Sequence, residues 1–143
     1  MALYLLDTNI VSYLLDTQSP FHRPSAEGLA GLADEDEAAV SVLTRYEVSR
    51  WLAYRRGSDE EIETVLGELE VLPLPPAGAK TFGAAMRDLR ATMPRAEVQR
   101  SVVDCMIAVT ALERRAVLVS HDAAFQRLAA FLPGLQLVDW ATG

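Results

Sequence analysis

Four carboxylates, Asp7, Glu47, Asp104 and Asp122, carry the strongest hint of chemistry in this sequence. Asp7 closes the apolar run Leu3–Leu6, and Asp122 follows the apolar run Val117–Val119. Asp104 interrupts Val102-Val-Asp-Cys-Met-Ile-Ala-Val109, where helical spacing sets it on the face of Ile107, Ala108 and Ala111. Aspartate is seldom buried on such a stripe without a partner. Glu47 stands near the start of a segment with Val48, Trp51 and Leu52 on one face. Carboxylates brought together repel one another and raise some of their pKa values. A hard cation such as Mg2+ or Mn2+ relieves that repulsion and suits oxygen donors. No His or Cys set has zinc-site spacing; His22 and His121 stand alone and read as surface residues.

Each acid also has a plainer reading. Asp7 and Asp122 suit the N-cap of a helix that follows a strand. Thr44-Arg-Tyr-Glu47 has the form of a capping box, with Glu47 in the first helical turn. Ser101-x-x-Asp104 resembles a first-turn box, and Arg100 offers an ion pair. The set of four, each next to a strand or helix boundary, says more than any member.

The elements that must position them follow from periodicity. Apolar runs predict strands at Leu3–Leu6, Ala38–Val42, Val71–Leu74 and Val117–Val119, with a fifth, edge strand at Gln136–Val138. Between them, residues 16 to 25, with Pro20 and Pro24, read as loop, and a short helix is expected near Ala26–Ala33. Asp34–Glu37 reads as a solvated turn. A helix is expected over Leu43–Arg56, and Ser58-x-x-Glu61 reads as a capping box opening the next, with the stripe Ile62, Val65, Leu66 and Leu69. Phe82, Met86 and Leu89 mark a helix stopped near Pro94, where a loop leads to another over Ser101–Arg115. A last helix carries Phe125, Leu128 and Leu132. Strands alternating with helices, and apolar rather than alternating in pattern, predict an α/β fold with a parallel sheet of four to five strands covered on both faces. Ligands in such sheets sit beyond the carboxyl ends of the strands.

The 143 residues, half of them apolar, suit one domain over residues 1–143. The single cysteine, Cys105, excludes an internal disulfide. The N-terminus lacks a signal-peptide pattern, and no apolar run nears the roughly 18 residues that span a membrane, so the chain reads as soluble and cytoplasmic. The net charge of −7 argues against a phosphate-rich partner. Against this, Lys80 is the only lysine, and arginine binds phosphate bidentately. Arg45, Arg90, Arg95 and Arg100 are candidate contacts to a phosphate backbone.

At these residues the sequence resembles a PIN-domain nuclease, and within that family the VapC-type toxins. Leu5-Leu-Asp-Thr-Asn9, Ser41-Val-Leu-Thr-Arg-Tyr-Glu-Val48, Val103-Asp-Cys-Met-Ile-Ala108 and Leu118-Val-Ser-His-Asp-Ala-Ala-Phe125 are similar to its four motifs in order, and Pro133–Trp140 is similar to its tail. The resemblance covers nearly the whole chain. It implies a three-layer αβα PIN-like fold and a Mg2+- or Mn2+-dependent endoribonuclease, often the toxin of a toxin–antitoxin pair. It carries the metal-binding and catalytic acids over to Asp7, Glu47, Asp104 and Asp122, with Thr8, Asn9 and Ser120 as polar support. The stretch before Asp104 departs from the family in being Arg-rich, and Ser120-His121 replaces a commoner Thr-containing pair. The resemblance also implies a homodimer and a cognate antitoxin, for whose amphipathic helix Trp51, Tyr54 and the segment Ser58–Glu70 form a candidate groove. Two other readings stay open. A haloacid-dehalogenase-like phosphatase also places Asp after its first strand, but Asn9 stands where its second Asp belongs. A non-enzymatic metal-binding module would use the acids without turnover.

Overall fold

The computed structural model describes residues 1–55, 57 and 59–142. Its elements run β1 (Leu3–Leu6), α1 (Thr8–Leu15), α2 (His22–Ala30), β2 (Glu37–Ser41), α3 (Val42–Tyr54), α4 (Asp59–Leu66), β3 (Glu70–Leu72), a 3-10 turn (Pro76–Gly78), α5 (Ala79–Thr92), α6 (Arg95–Arg100), α7 (Val102–Glu113), β4 (Val117–Val119), α8 (Ala123–Ala129) and β5 (Gln136–Val138). The strands form one five-stranded sheet in the order β3-β2-β1-β4-β5. Every pairing is parallel, and β5 is the expected edge strand.

The register explains why the central strands are apolar throughout. Leu5 lies opposite Ala39 and Leu118, and Leu6 opposite Val40 and Val119. Successive side chains point to opposite faces of a strand, and here both faces are covered. Leu5, Ala39 and Leu118 pack with Leu89, Ile107, Phe125 and Leu128 from α5, α7 and α8. Leu6, Val40 and Val119 pack with Ile10, Leu14, Val48, Leu52 and Ile62 from α1, α3 and α4. The three-layer αβα architecture is therefore as expected. The tail closes the second face: Trp140 lies so tightly on Gly28 that a β-carbon there would come within 2.5 Å of the indole.

Several local expectations are corrected. The segment read as loop up to residue 25 already contains the start of α2, at His22. Pro24 is tolerated because a first helical turn leaves its N–H groups unpaired in any case. The Asp34–Glu37 run is not simply a solvated turn: Asp36 Oδ1 accepts a hydrogen bond from Ala2 N at 2.8 Å, and Glu37 opens β2. β3 ends at Leu72 rather than Leu74. The proposed box at Ser58 lies outside the described residues.

The loop expected around Pro94 is instead a helix, α6. Pro94 forces Met93 out of the helical region, to φ −123 and ψ 152, and so ends α5. Its own backbone then caps α6. Ser101 joins α6 directly to α7 in αR conformation. Its hydroxyl donates back to Glu97 O at 2.8 Å rather than capping α7, so Ser101-x-x-Asp104 is not a capping box.

Candidate metal centre

The strand order places the switch point between β1 and β4, the neighbours whose connections leave in opposite directions. Asp7 and Asp122 stand just beyond their carboxyl ends. Asp7 N donates to Val119 O at 3.0 Å, so the end of β1 is stitched to β4. Both acids are also helix caps: Asp7 Oδ1 accepts from Ile10 N at 2.8 Å, and Asp122 Oδ1 from Ala124 N at 2.9 Å. The capping reading therefore holds for both, and a cap bond through one oxygen leaves the other free for a second partner. A helix N-terminus also favours a nearby carboxylate, and Asp104 lies in the first turn of α7.

Polar neighbours fix these side chains. Ser120 Oγ donates to Asp7 Oδ2 at 2.6 Å and accepts from Asp122 N at 3.0 Å, linking two acids that come from different strands. Asn9 Nδ2 donates to Asp122 Oδ2 at 3.3 Å. Thr8 Oγ1 donates to Glu47 Oε1 at 2.8 Å and lies 3.0 Å from Thr44 Oγ1. With the Thr8 proton committed to Glu47, the buried Thr44 hydroxyl must be the donor between the two threonines. Thr8, Asn9 and Ser120 thus bond Glu47, Asp122 and Asp7 respectively. The box at Thr44 is corrected: Ser41 caps α3 through Leu43 N at 3.1 Å, and Glu47 falls one turn further in. Thr44 is the supporting residue that the sequence reading missed, hidden behind its fit to a capping motif.

Charge links the acids to one another: Asp7 feels Asp104 and Asp122, and Asp104 feels Asp122 and Glu47. Asp7 is 1 % exposed, and burial pushes its carboxyl up to about 7. Hydrogen bonds from Ser120 and Ile10 pull it down, while Asp104 and Asp122 push it further up. Burial, then the charges of Asp122 and Glu47, raise half-buried Asp104 to about 6. Among the described residues, Asp104 takes no part in the hydrogen bonds that hold the other three. The adjacent Cys105 thiol is pushed up to about 11 by burial and by Asp104, which makes it a poor nucleophile.

The donor set suits a hard divalent cation: carboxylate oxygens alone, partly buried and mutually repelling. Asp7 keeps lone pairs beyond its two hydrogen bonds, since an ionised carboxylate has about four acceptor sites. Among the described residues, no three His, Cys, Asp or Glu side chains are grouped closely enough to hold one ion. The four acids are thus linked by charge, without forming a cluster of three potential ligands among the described residues.

The histidines are not the surface residues expected. His121 Nδ1 donates to Asp139 Oδ2 at 2.8 Å, and its ring lies 4.6 Å from that of Phe21. His22 Nδ1 donates to Tyr13 O at 2.8 Å. The arginines divide. Arg45 bonds Ser49 and lies 3.8 Å from Glu63, so it braces α3 against α4. Arg90, Arg95 and Arg100 are exposed on α5 and α6, and the ion pair considered between Arg100 and Asp104 is not formed. Tyr54 is 79 % exposed on α3, while half-buried Trp51 carries the Arg55 guanidinium 4.2 Å above its ring. No described helix is long and apolar enough to cross a membrane.

Chains from several solved bacterial structures share this fold. VapBC2 from Rickettsia felis, bound to a DNA fragment from its promoter, has a chain matching at TM-score 0.76 and 21 % identity, over 96 % of this chain and 98 % of its own. VapBC-1 from nontypeable Haemophilus influenzae matches at TM-score 0.73 and 26 % identity, over 96 % and 98 %. FitAcB from Neisseria gonorrhoeae matches at TM-score 0.72 and 17 % identity, over 96 % and 97 %. No curated protein sequence matches. The PIN domain family profile matches residues 4–131, a span holding all four acids and their hydrogen-bond partners. The chain therefore belongs to the PIN domain family.

Proposed function

We propose that this protein is a divalent-metal-dependent endoribonuclease that hydrolyses RNA phosphodiester bonds as the toxin of a toxin–antitoxin pair. The observation that carries the reading is the electrostatic coupling of Asp7, Glu47, Asp104 and Asp122 at the switch point of a PIN-family sheet. Asp7 and Asp104 would hold Mg2+ or Mn2+ directly, with Glu47 and Asp122 as further candidate ligands. Bound there, the ion supplies Lewis-acid polarisation of the phosphoryl oxygens and a lowered pKa for the attacking water.

The chain's own groups do the rest. Ser120 and Ile10 N hold the Asp7 carboxylate in one plane. Thr8 occupies Oε1 of Glu47 and leaves Oε2 to accept a proton from the attacking water. Asn9 orients Asp122 by donating to its Oδ2. The phosphatase reading gains nothing, because Asn9 serves Asp122 and no second carboxylate follows Asp7 at that spacing.

The partner reading draws on the solved toxin–antitoxin structures with the same fold and on the exposed Tyr46 and Tyr54 of α3, which suit an amphipathic helix laid on that face. A homodimer acting in the cytoplasm completes the proposal; a monomer by light scattering would remove the dimer. The central test compares wild type with Asp104→Asn on RNA, in Mg2+ and in EDTA. Cleavage by wild type in Mg2+ alone is expected. A folded Asp104→Asn protein cutting as fast as wild type would overturn the reading.

A further inference from the structure

α5 and α6 meet at the break made by Pro94, and the angle between them opens a groove of about 320 Å³. Arg87, Arg90 and Arg95 line it with Gln99, over a floor of Met86 and Val98, and no carboxylate belongs to its wall. In a chain of net charge −7 this concentration of arginine is unusual. Arg87 shares its charge with Asp88 at 3.1 Å, but among the described residues neither Arg90 nor Arg95 enters an ion pair. Gly83 also faces the groove, and a β-carbon there would meet nothing within 4 Å. Glycine inside a helix costs about 1 kcal/mol relative to alanine, and a side chain at Gly83 would have open space to enter.

The groove is tied to the acids by covalent connection. α6 runs through Ser101 into α7, whose first turn carries Asp104. Helical rise and peptide spacing limit the Arg95–Asp104 Cα separation to roughly 18 Å. Exposed guanidinium groups that close to a hydrolytic centre, with room between them, suit the phosphates of a single strand better than a compact anion.

Building on the ribonuclease reading, we infer that the α5–α6 groove binds backbone phosphates of the RNA strand a few nucleotides from the scissile bond. It thus acts as a second anchor that makes affinity depend on substrate length. Arg90 and Arg95 bind the phosphates, and Arg87 and Gln99 border them.

The test measures RNA binding in the Asp104→Asn background, where the strand stays intact, for lengths from two to about ten nucleotides. Affinity should rise with length until the groove is filled. Replacing Arg87, Arg90 and Arg95 by Ala should abolish that rise and flatten the salt dependence, by about 0.7 in slope for each single-strand phosphate left without its arginine. Gly83→Glu places a carboxylate in the groove at a position with space for it and improves helix propensity, so it should weaken long-strand binding without unfolding α5. If both variants keep the length dependence and the salt slope, the inference is overturned. Failure of wild type to cut RNA in Mg2+ would instead overturn the ribonuclease reading, so the two failures are distinct.

Discussion

The two ends of the sheet carry the same residue type to opposite effect. At the amino end, Glu37 opens β2 and Glu70 opens β3; with Asp36 and Glu68 they rim a shallow cavity of about 510 Å³ floored by Leu29, Val65 and Leu69. Glu37, Glu68 and Glu70 are exposed to solvent. At the carboxyl end the acids are partly or fully buried, and two of them have strongly raised pKa values. The direction of the helices explains the contrast. α1, α3 and α8 begin where β1, β2 and β4 end, and α7 runs into the start of β4, so these helix N-termini gather at the carboxyl end of the sheet. Helix N-termini favour a carboxylate and C-termini do not. Acids at the amino end are therefore kept in water, while those at the carboxyl end can be held out of it. Burial in a favourable field, rather than the number of acids, marks the site.

Conservative substitution gives the largest test of this contrast. Asp7→Asn keeps the cap, since Asn caps helices as well as Asp, and Asp104→Asn keeps shape. Each is expected to slow RNA cleavage by about 10²–10³-fold, the scale on which loss of one charge-stabilising group acts. Glu37→Gln and Glu70→Gln should leave the rate unchanged in the same assay. Equal loss at both ends would break the comparison.

A second test uses pH. Asp7 and Asp104 have folded pKa values raised to about 7 and about 6 from 3.8. Their protonated forms are favoured by folding, so their contribution is complete below about pH 4 and is lost as pH rises through 6 to 7. Metal-free protein should therefore melt higher at pH 5 than at pH 8, by an amount on the order of a few kcal/mol. Asp7→Asn should remove most of that slope, and Mg2+ should restore stability at pH 8. A flat melting profile in EDTA would show that these carboxyls are not held as described.

Smaller effects separate the supports. Ser120→Ala removes the hydroxyl that bridges Asp7 and Asp122 and should destabilise the protein by about 1–3 kcal/mol, read by denaturant unfolding. Thr8→Val frees Glu47 and should lower activity more than stability, whereas Thr44→Val, one bond further away, should do the reverse. Substitutions at Glu37 or Glu70 should stay within about 0.5 kcal/mol of wild type. A Glu70→Gln change as costly as Ser120→Ala would show that the amino end is as constrained as the site.

The amino-acid sequence by itself determined the parallel sheet, the placement of Asp7 and Asp122 beyond strand ends, and the oddity of Asp104. Each follows from a short apolar run and the residue that interrupts or ends it, which is local information. Only the tertiary structure decided how the acids are held. Ser120 reaches Asp7, and Asn9 reaches Asp122, each across 113 positions in the chain; Thr8 reaches Thr44 and Glu47 across 36 and 39. No periodicity encodes such contacts, and at Thr44 a local capping pattern pointed elsewhere. Asp104 arrives at the site because Pro94 ends one helix and starts another, a turn that the sequence marked but whose direction depended on packing against the sheet. Charge coupling among the four acids falls steeply with separation and solvent exposure, so it was fixed only when folding brought the strand ends and helix N-termini together.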